Sequence, residues 1–261
     1  MADSLNNTLG HSRGHFAEKA EELVQTVQEL YAAGLITPTG GNLSVRLPGR
    51  QPPGEGGPAF LITPSGMHKG SLRAESMIPL DAAGRVASAV VPAAAAANAM
   101  AKANATANAT VNANTKAKAK PSIETPMHLR IYQLRPECNA VIHTHAPAAT
   151  LLGMAGVMIK PITLDAVRFL GAPVVPFEIP GSPELVEAVE VGLRAAPAGV
   201  PAILLQNHGL VTFGASLREA ANYALALEEV CRLLLEAQGL GRELSLIPAK
   251  AITYLREHHI V

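Results

Sequence analysis

Residues 202–238 read as strand, tight turn, strand and helix with almost nothing between them, and that succession constrains the fold more than any other stretch of the chain. Ala202-Ile-Leu-Leu-Gln206 is an apolar run of strand length, Asn207-His-Gly209 supplies the turn, and Leu210-Val-Thr-Phe213 is the return strand. Ser216 and Glu219 then have the spacing of a capping box. Ala220, Tyr223, Leu227, Val230, Cys231 and Leu234 recur on one face of a helix predicted to run to about Gln238. A hairpin whose second strand feeds a long amphipathic helix fits neither a pure helical bundle nor a sandwich of strands.

The rest of the chain mixes the same kinds of connection. Phe16, Ala20, Leu23, Val24, Val27, Leu30 and Tyr31 give an amphipathic helix from about Gly14, stopped at Gly34. Thr39-Gly-Gly-Asn-Leu-Ser-Val-Arg46 is a turn feeding a strand, Ala59-Phe-Leu-Ile-Thr63 is a second strand, and Met77–Asp81 with Gly84-Arg-Val86 reads as a hairpin. Thr125–Leu134 has helical spacing, Ala140–His145 is a strand with a short helix from about Pro147, and Val174–Phe177 is another strand. Ser182-Pro-Glu184 places an N-cap and an N1 proline before a further helix. Strands in hairpins and strands between helices together predict an α/β layer fold with a largely antiparallel sheet. There is no internal repeat, and no G-x-G-x-x-G or Walker pattern.

From Ala93 to Lys120 half of the 28 residues are alanine, interspersed with asparagine, lysine and threonine and without an acid or an aromatic. Such a segment offers neither core bulk nor an apolar stripe, so it is expected to be a low-complexity surface loop inserted in a single domain spanning 1–261. Its four lysines conceal an excess of four acids on the remaining 233 residues, although the whole chain, with 21 basic and 21 acidic side chains, is formally neutral. Neither balance suits a partner that is a nucleic acid or an anionic membrane. Cys138 and Cys231 are too few for a disulfide scaffold, the polar stretch Met1–Ser12 lacks the apolar core of a signal peptide, and no run of about 18 apolar residues suggests a membrane span. A soluble cytoplasmic protein is expected, in which N-x-[ST] matches such as Asn42-Leu-Ser44 and Asn104-Ala-Thr106 are chance and not glycan acceptors.

Four side chains stand out for chemistry. Strand residues i and i+2 point to one face with Cα atoms about 6.6–7 Å apart, so His143 and His145 form either a two-ligand plate for a metal ion or a polar pair on a solvated face. His208, in a turn after an apolar strand, is either a cavity-facing ligand or a satisfied turn histidine. Glu124, between Pro121-Ser-Ile123 and Thr125-Pro-Met127, is either a first-turn helix charge or a functional carboxylate. Gly41-Asn42 and Ser65-Gly66, taken alone, are ordinary turns.

In order along the chain, Gly41-Asn-Leu-Ser-Val-Arg46, Leu61-Ile-Thr-Pro-Ser-Gly66, Pro121-Ser-Ile-Glu124, Ala140-Val-Ile-His-Thr-His-Ala146 and Leu205-Gln-Asn-His-Gly209 resemble motifs of the class II aldolase/adducin family. Its members include L-fuculose-1-phosphate aldolase and L-ribulose-5-phosphate 4-epimerase, and the resemblance covers nearly the whole chain outside the insert. It implies a three-layer α/β/α fold, with His143, His145 and His208 as imidazole ligands of a divalent metal, usually zinc. Glu124 would be the acid/base that can also fill a metal position. Three neutral imidazoles leave such an ion its charge and an open position, as a catalytic Lewis acid needs, whereas a structural zinc is closed. The resemblance also implies a phosphate pocket made by Gly41, Asn42, Ser65, Gly66 and Ser122 through main-chain N–H groups and small polar side chains. Ile123 departs from the pattern: phosphoketose aldolases commonly carry two serines before the acid, and here the second is a branched hydrocarbon, which admits a related acidic substrate, non-phosphorylated or differently placed, beside a small phosphorylated sugar.

The implied activity is metal-dependent aldol cleavage of a small ketose phosphate, such as L-fuculose 1-phosphate, to dihydroxyacetone phosphate and an aldehyde. The alternatives are a sugar-phosphate epimerase, dehydratase or decarboxylase on the same metal site, or a non-catalytic adducin-like binding module. A homotetramer with the active site between subunits is implied as well, across which a C-terminal tyrosine, here Tyr254, would donate a proton. The epimerase branch uses an acid near where Asp165 stands. His68, His128, His258 and His259 match no family role and are expected to be surface or core histidines, and Cys138 and Cys231 to be packing residues.

Overall fold

The structure, a computed structural model, describes residues 2–48, 58–87, 119–258 and 260. The expected loop lies outside the described residues up to residue 118, as does His259. The helices are α1 (Ala2–Ala32), α2 (Thr125–Leu134), α3 (Pro147–Met154), α4 (Leu164–Arg168), α5 (Pro183–Ala195), α6 (Leu217–Gln238) and α7 (Ala249–Glu257). Among the described residues one sheet is built from β1 (Asn42–Arg46), β2 (Phe60–Ile62), β3 (Ile78–Leu80), β4 (Ala140–Thr144), β5 (Val174–Val175), β6 (Ala202–Leu205) and β7 (Gly209–Gly214). The strand order is β3-β2-β1-β4-β7-β6-β5. Every pairing is antiparallel except that of β5 with β6.

Alternation along the strands makes the layers. Leu43, Ala140, Ile142, Leu204 and Leu210 pack with α1, α3, α4 and α6 in one core. Their strand neighbours Val141, Ile203, Leu205, Val211 and Phe213 pack with α2 and α5 in the other. The fold is thus α/β, with a mostly antiparallel sheet between two helical layers. No helix among the described residues is long and apolar enough to cross a membrane.

Local chemistry sets the ends of these elements. Gly34, at φ +76°, closes α1 in a Schellman turn: its N–H donates to Tyr31 O, and Leu35 N–H donates to Leu30 O. Ser182 Oγ accepts from Leu185 N–H and starts α5 as expected. Three expectations need correction. The helix α1 begins well before Gly14, because its polar first turns carry no apolar period to read. The strand expected over 174–177 stops at Val175, where Pro176 brings no N–H to the ladder. At α6, Ser216 Oγ accepts from Glu219 N–H, but Glu219 Oε2 accepts from Ala215 N–H, one residue upstream of the bond that a capping box requires.

Candidate metal centre

The antiparallel register of β1 and β4 sets Asn42 opposite His143, so the two side chains share the face that α2 covers. His143 is fully buried, and its Nδ1 donates to Leu210 O of the adjacent strand at 3.1 Å. That bond fixes the tautomer and leaves Nε2 a bare acceptor, which is buried with no hydrogen-bond partner. His145 lies just past the end of β4, anchored by its N–H to Leu35 O at 2.9 Å. His208 hangs from the β6–β7 turn, whose apex Asn207 has φ +56°, a conformation that asparagine tolerates better than most residues.

Ring centroids of the three histidines stand 4.6–5.6 Å apart, and one ligand nitrogen from each falls within 4.8 Å of the others. An ion held by all three at about 2.0–2.1 Å would draw those nitrogens closer together. Burial, and then the neighbouring His208 and His145, hold the His143 imidazole well below 6.5. His145 is lowered by burial first and then by His208, against the opposing pull of Glu124, with Lys69 lowering it further. Both rings are therefore neutral at pH 7 and need lose no proton to bind a cation. An unpartnered buried imidazole nitrogen beside two further imidazoles fits a divalent metal.

Glu124 sits at the N-cap of α2 yet makes no capping bond with its side chain. The carboxylate turns to the histidines instead. Oε2 lies 3.4 Å from His143 Nε2 and accepts from Asn42 Nδ2 at 2.7 Å, while Oε1 lies 3.5 Å from His208 Nε2 and is buried without a hydrogen-bond partner.

Around the expected phosphate pocket several groups are already engaged. The Asn42 amide serves Glu124 and His128, Ser122 Oγ accepts from Glu124 N–H, and Ser65 N–H donates to Lys120 O. Gly66, at φ +69° with open space where a Cβ would be, and the exposed Ser65 hydroxyl remain available. Gly41, also at positive φ, brings its Cα so near β4 that a Cβ would stand 3.0 Å from His143 O. Ile123 is 62% exposed. Tyr254 stands on α7, 55% exposed, its ring stacked on His258 at 4.0 Å between centroids. Asp165 is exposed in α4 and lines a groove with Arg168 and Arg218.

Two neighbours of the site escaped the sequence reading. Lys69 is buried, with Nζ donating to Pro64 O at 3.2 Å, and burial lowers its pKa. Its turn, Met67-His-Lys-Gly70, carries no sequence sign of burial. His128 is a core histidine whose Nε2 faces Asn42 Oδ1. Its position four residues beyond Glu124 on an α-helix was a signal that could have linked the two. His68 is exposed at the edge of Tyr31, and His258 is exposed as well. Cys138 and Cys231 are buried free thiols, both pushed up to about 12 chiefly by burial, which keeps them protonated.

A family model described as class II aldolase and adducin N-terminal domain matches residues 21–235. Among curated proteins, 5-methylthioribulose-1-phosphate/5-deoxyribulose-1-phosphate aldolase of Escherichia coli O45:K1 is 26% identical, over 91% of this chain and 93% of its own. The 3-oxo-tetronate 4-phosphate decarboxylase of Haemophilus influenzae is 31% identical, over 84% of this chain and 88% of its own. Methylthioribulose-1-phosphate dehydratase of Methylococcus capsulatus is 31% identical, over 87% of this chain and 98% of its own.

Proposed function

This chain belongs to the class II aldolase and adducin family, and from that premise we propose that it is a divalent-metal-dependent lyase that cleaves a small ketose phosphate, as an aldolase does, to dihydroxyacetone phosphate and an aldehyde. The observation that carries the reading is the buried, unpartnered Nε2 of His143, which faces the same space as His145, His208 and the free Oε1 of Glu124. A purely structural core would not leave those polar atoms unsatisfied. His143, His145 and His208 would hold the ion, zinc by preference for three imidazoles, and bound there it would act as a Lewis acid toward the substrate's oxygens.

The chain's own groups divide the remaining work. Glu124 Oε2 is tied to Asn42, so Oε1 is the oxygen placed to take up and return a proton as the carbon–carbon bond breaks. For the phosphate we assign the Gly66 N–H and the Ser65 hydroxyl as direct contacts, with Gly41, Asn42 and Ser122 shaping the wall. Lys69 supplies positive charge beneath the turn, through its place against Pro64. The named relatives act on, or are named for, phosphorylated small ketones and keto acids, which agrees with an anionic substrate. The working unit in this reading is a cytoplasmic single-domain chain assembled as a homotetramer, with the exposed Tyr254 offered to a neighbouring subunit's site.

The test is release of dihydroxyacetone phosphate from L-fuculose 1-phosphate and from 5-deoxyribulose 1-phosphate, with and without zinc, beside Glu124→Gln. The expected result is zinc-dependent release that the variant reduces by about 10²–10⁴-fold. A chain that binds zinc but releases nothing from either sugar overturns aldol cleavage and directs the assay to water or carbon dioxide release. A chain with neither metal nor turnover is the adducin-like binding module.

A further inference from the structure

The contacts of Glu124 continue inward from Asn42. His128 Nε2 donates to Asn42 Oδ1 at 2.6 Å, His128 Nδ1 lies 2.7 Å from Ser44 Oγ, and Ser44 Oγ lies 2.9 Å from the Tyr132 hydroxyl. Glu124, Asn42, His128, Ser44 and Tyr132 are all buried. Backbone geometry brings them together: Asn42 and Ser44 are alternate residues on one face of β1, while Glu124, His128 and Tyr132 follow at four-residue steps on the α2 face that covers it.

Only one direction of proton donation satisfies this chain of contacts. A carboxylate accepts, so Asn42 must present its NH2 to Glu124 and its carbonyl oxygen to His128. That oxygen also accepts, which places the His128 proton on Nε2. Burial keeps the His128 ring neutral, with its pKa lowered to about 3, so Nδ1 is a bare acceptor. The Ser44 hydroxyl then donates to Nδ1 and accepts from Tyr132, whose proton burial retains. Tyr132, Ser44, His128 and Asn42 thus all donate toward Glu124, and bonds aligned in one sense strengthen one another.

We propose that His128 is a positioning residue for Glu124, acting through Asn42 to hold Oε2 and so to leave Oε1 as the free oxygen facing His208. The proposal rests on the reading of Glu124 as the proton-moving group. Packing alone would not explain the arrangement, because an apolar residue of the same volume fills a core without needing partners for two ring nitrogens.

Two measurements on the full-length chain test it. In ¹⁵N-histidine NMR at pH 7, the His128 signal, assigned by its loss in His128→Gln, should show the Nε2–H tautomer with a slowly exchanging proton. An Nδ1–H tautomer overturns the relay whichever reaction the site performs. In turnover, His128→Phe keeps the volume without the donor and should lower kcat by roughly 10–100-fold, with KM and zinc content nearly unchanged. His128→Gln, whose amide nitrogen can reach Asn42, should recover most of that loss. Equal losses in the two variants, or a loss seen only in KM or in bound zinc, overturn the positioning role. An Nε2–H tautomer in a wild-type chain that turns over no phosphorylated ketose counts against the lyase reading and leaves the hydrogen-bond relay standing.

Discussion

At Gly40 a hydrogen in place of a methyl group decides whether His145 can stand where it does. A Cβ there would meet Thr37 Oγ1 and come within 2.5 Å of the His145 ring. The ring, at the free end of a side chain, is what would yield, so the fold survives and the grouping of the three histidines does not. Gly40→Ala should keep its circular dichroism and melting behaviour while zinc affinity, measured by competition with a chelating dye, falls by about 10–100-fold. Unchanged affinity would show that His145 is not needed where the structure puts it. Residues of this kind mark the limit of what sequence reveals about the site. His143, His145, His208 and Glu124 were legible because ordered motifs surround them. Lys69, Ser44 and Tyr132 were not, because a buried lysine and a hydrogen-bonded tyrosine look in sequence like any surface lysine and any core aromatic.

Helix α3 shows the same limit one level up. Its position from about Pro147 is legible from a strand run followed by an N1 proline, but Ala146 before it has no side chain that can cap. The cap comes from far along the chain: Glu228, on α6, accepts from Ala148 N–H and Ala149 N–H through its two oxygens, at 2.8 and 2.9 Å. A carboxylate at a helix N-terminus also meets the positive end of the dipole. Because α3 begins two residues after His145, the same contact steadies the end of the strand that carries His143. Glu228→Ala should cost about 1–2 kcal/mol, read as a lower urea midpoint at unchanged slope, and Glu228→Gln, which keeps only one acceptor oxygen, about half of that. Equal stability of all three proteins would remove Glu228 from the account of α3. The helices of this chain announce their faces, then, while the long-range groups that end them stay silent.

For the whole molecule, periodicity gave the elements and the α/β class, yet nothing in β1 and β4 says that they are neighbours, since strands so distant in sequence carry no mutual signal beyond matching apolar faces. The low-complexity insert interrupts that pairing in sequence and tests whether the fold depends on it. The chain leaves the described structure at Ala87 and returns at Ala119, and the return is anchored: Lys120 O accepts from Ser65 N–H, and Pro121 bridges Pro64. An anchored return means that β1, β2 and α2 meet through their own contacts. Replacing residues 93–118 by a short Gly/Ser linker that retains Lys120 should then preserve one zinc per chain. Closure entropy changes by only about 0.6 kcal/mol for each halving of a loop, so the melting temperature should move by a few degrees at most. Thermal unfolding with zinc analysis on the shortened chain checks this. A loss of more than about 3 kcal/mol, beyond what closure entropy explains, would mean that the alanine-rich segment packs on the domain and belongs to its core.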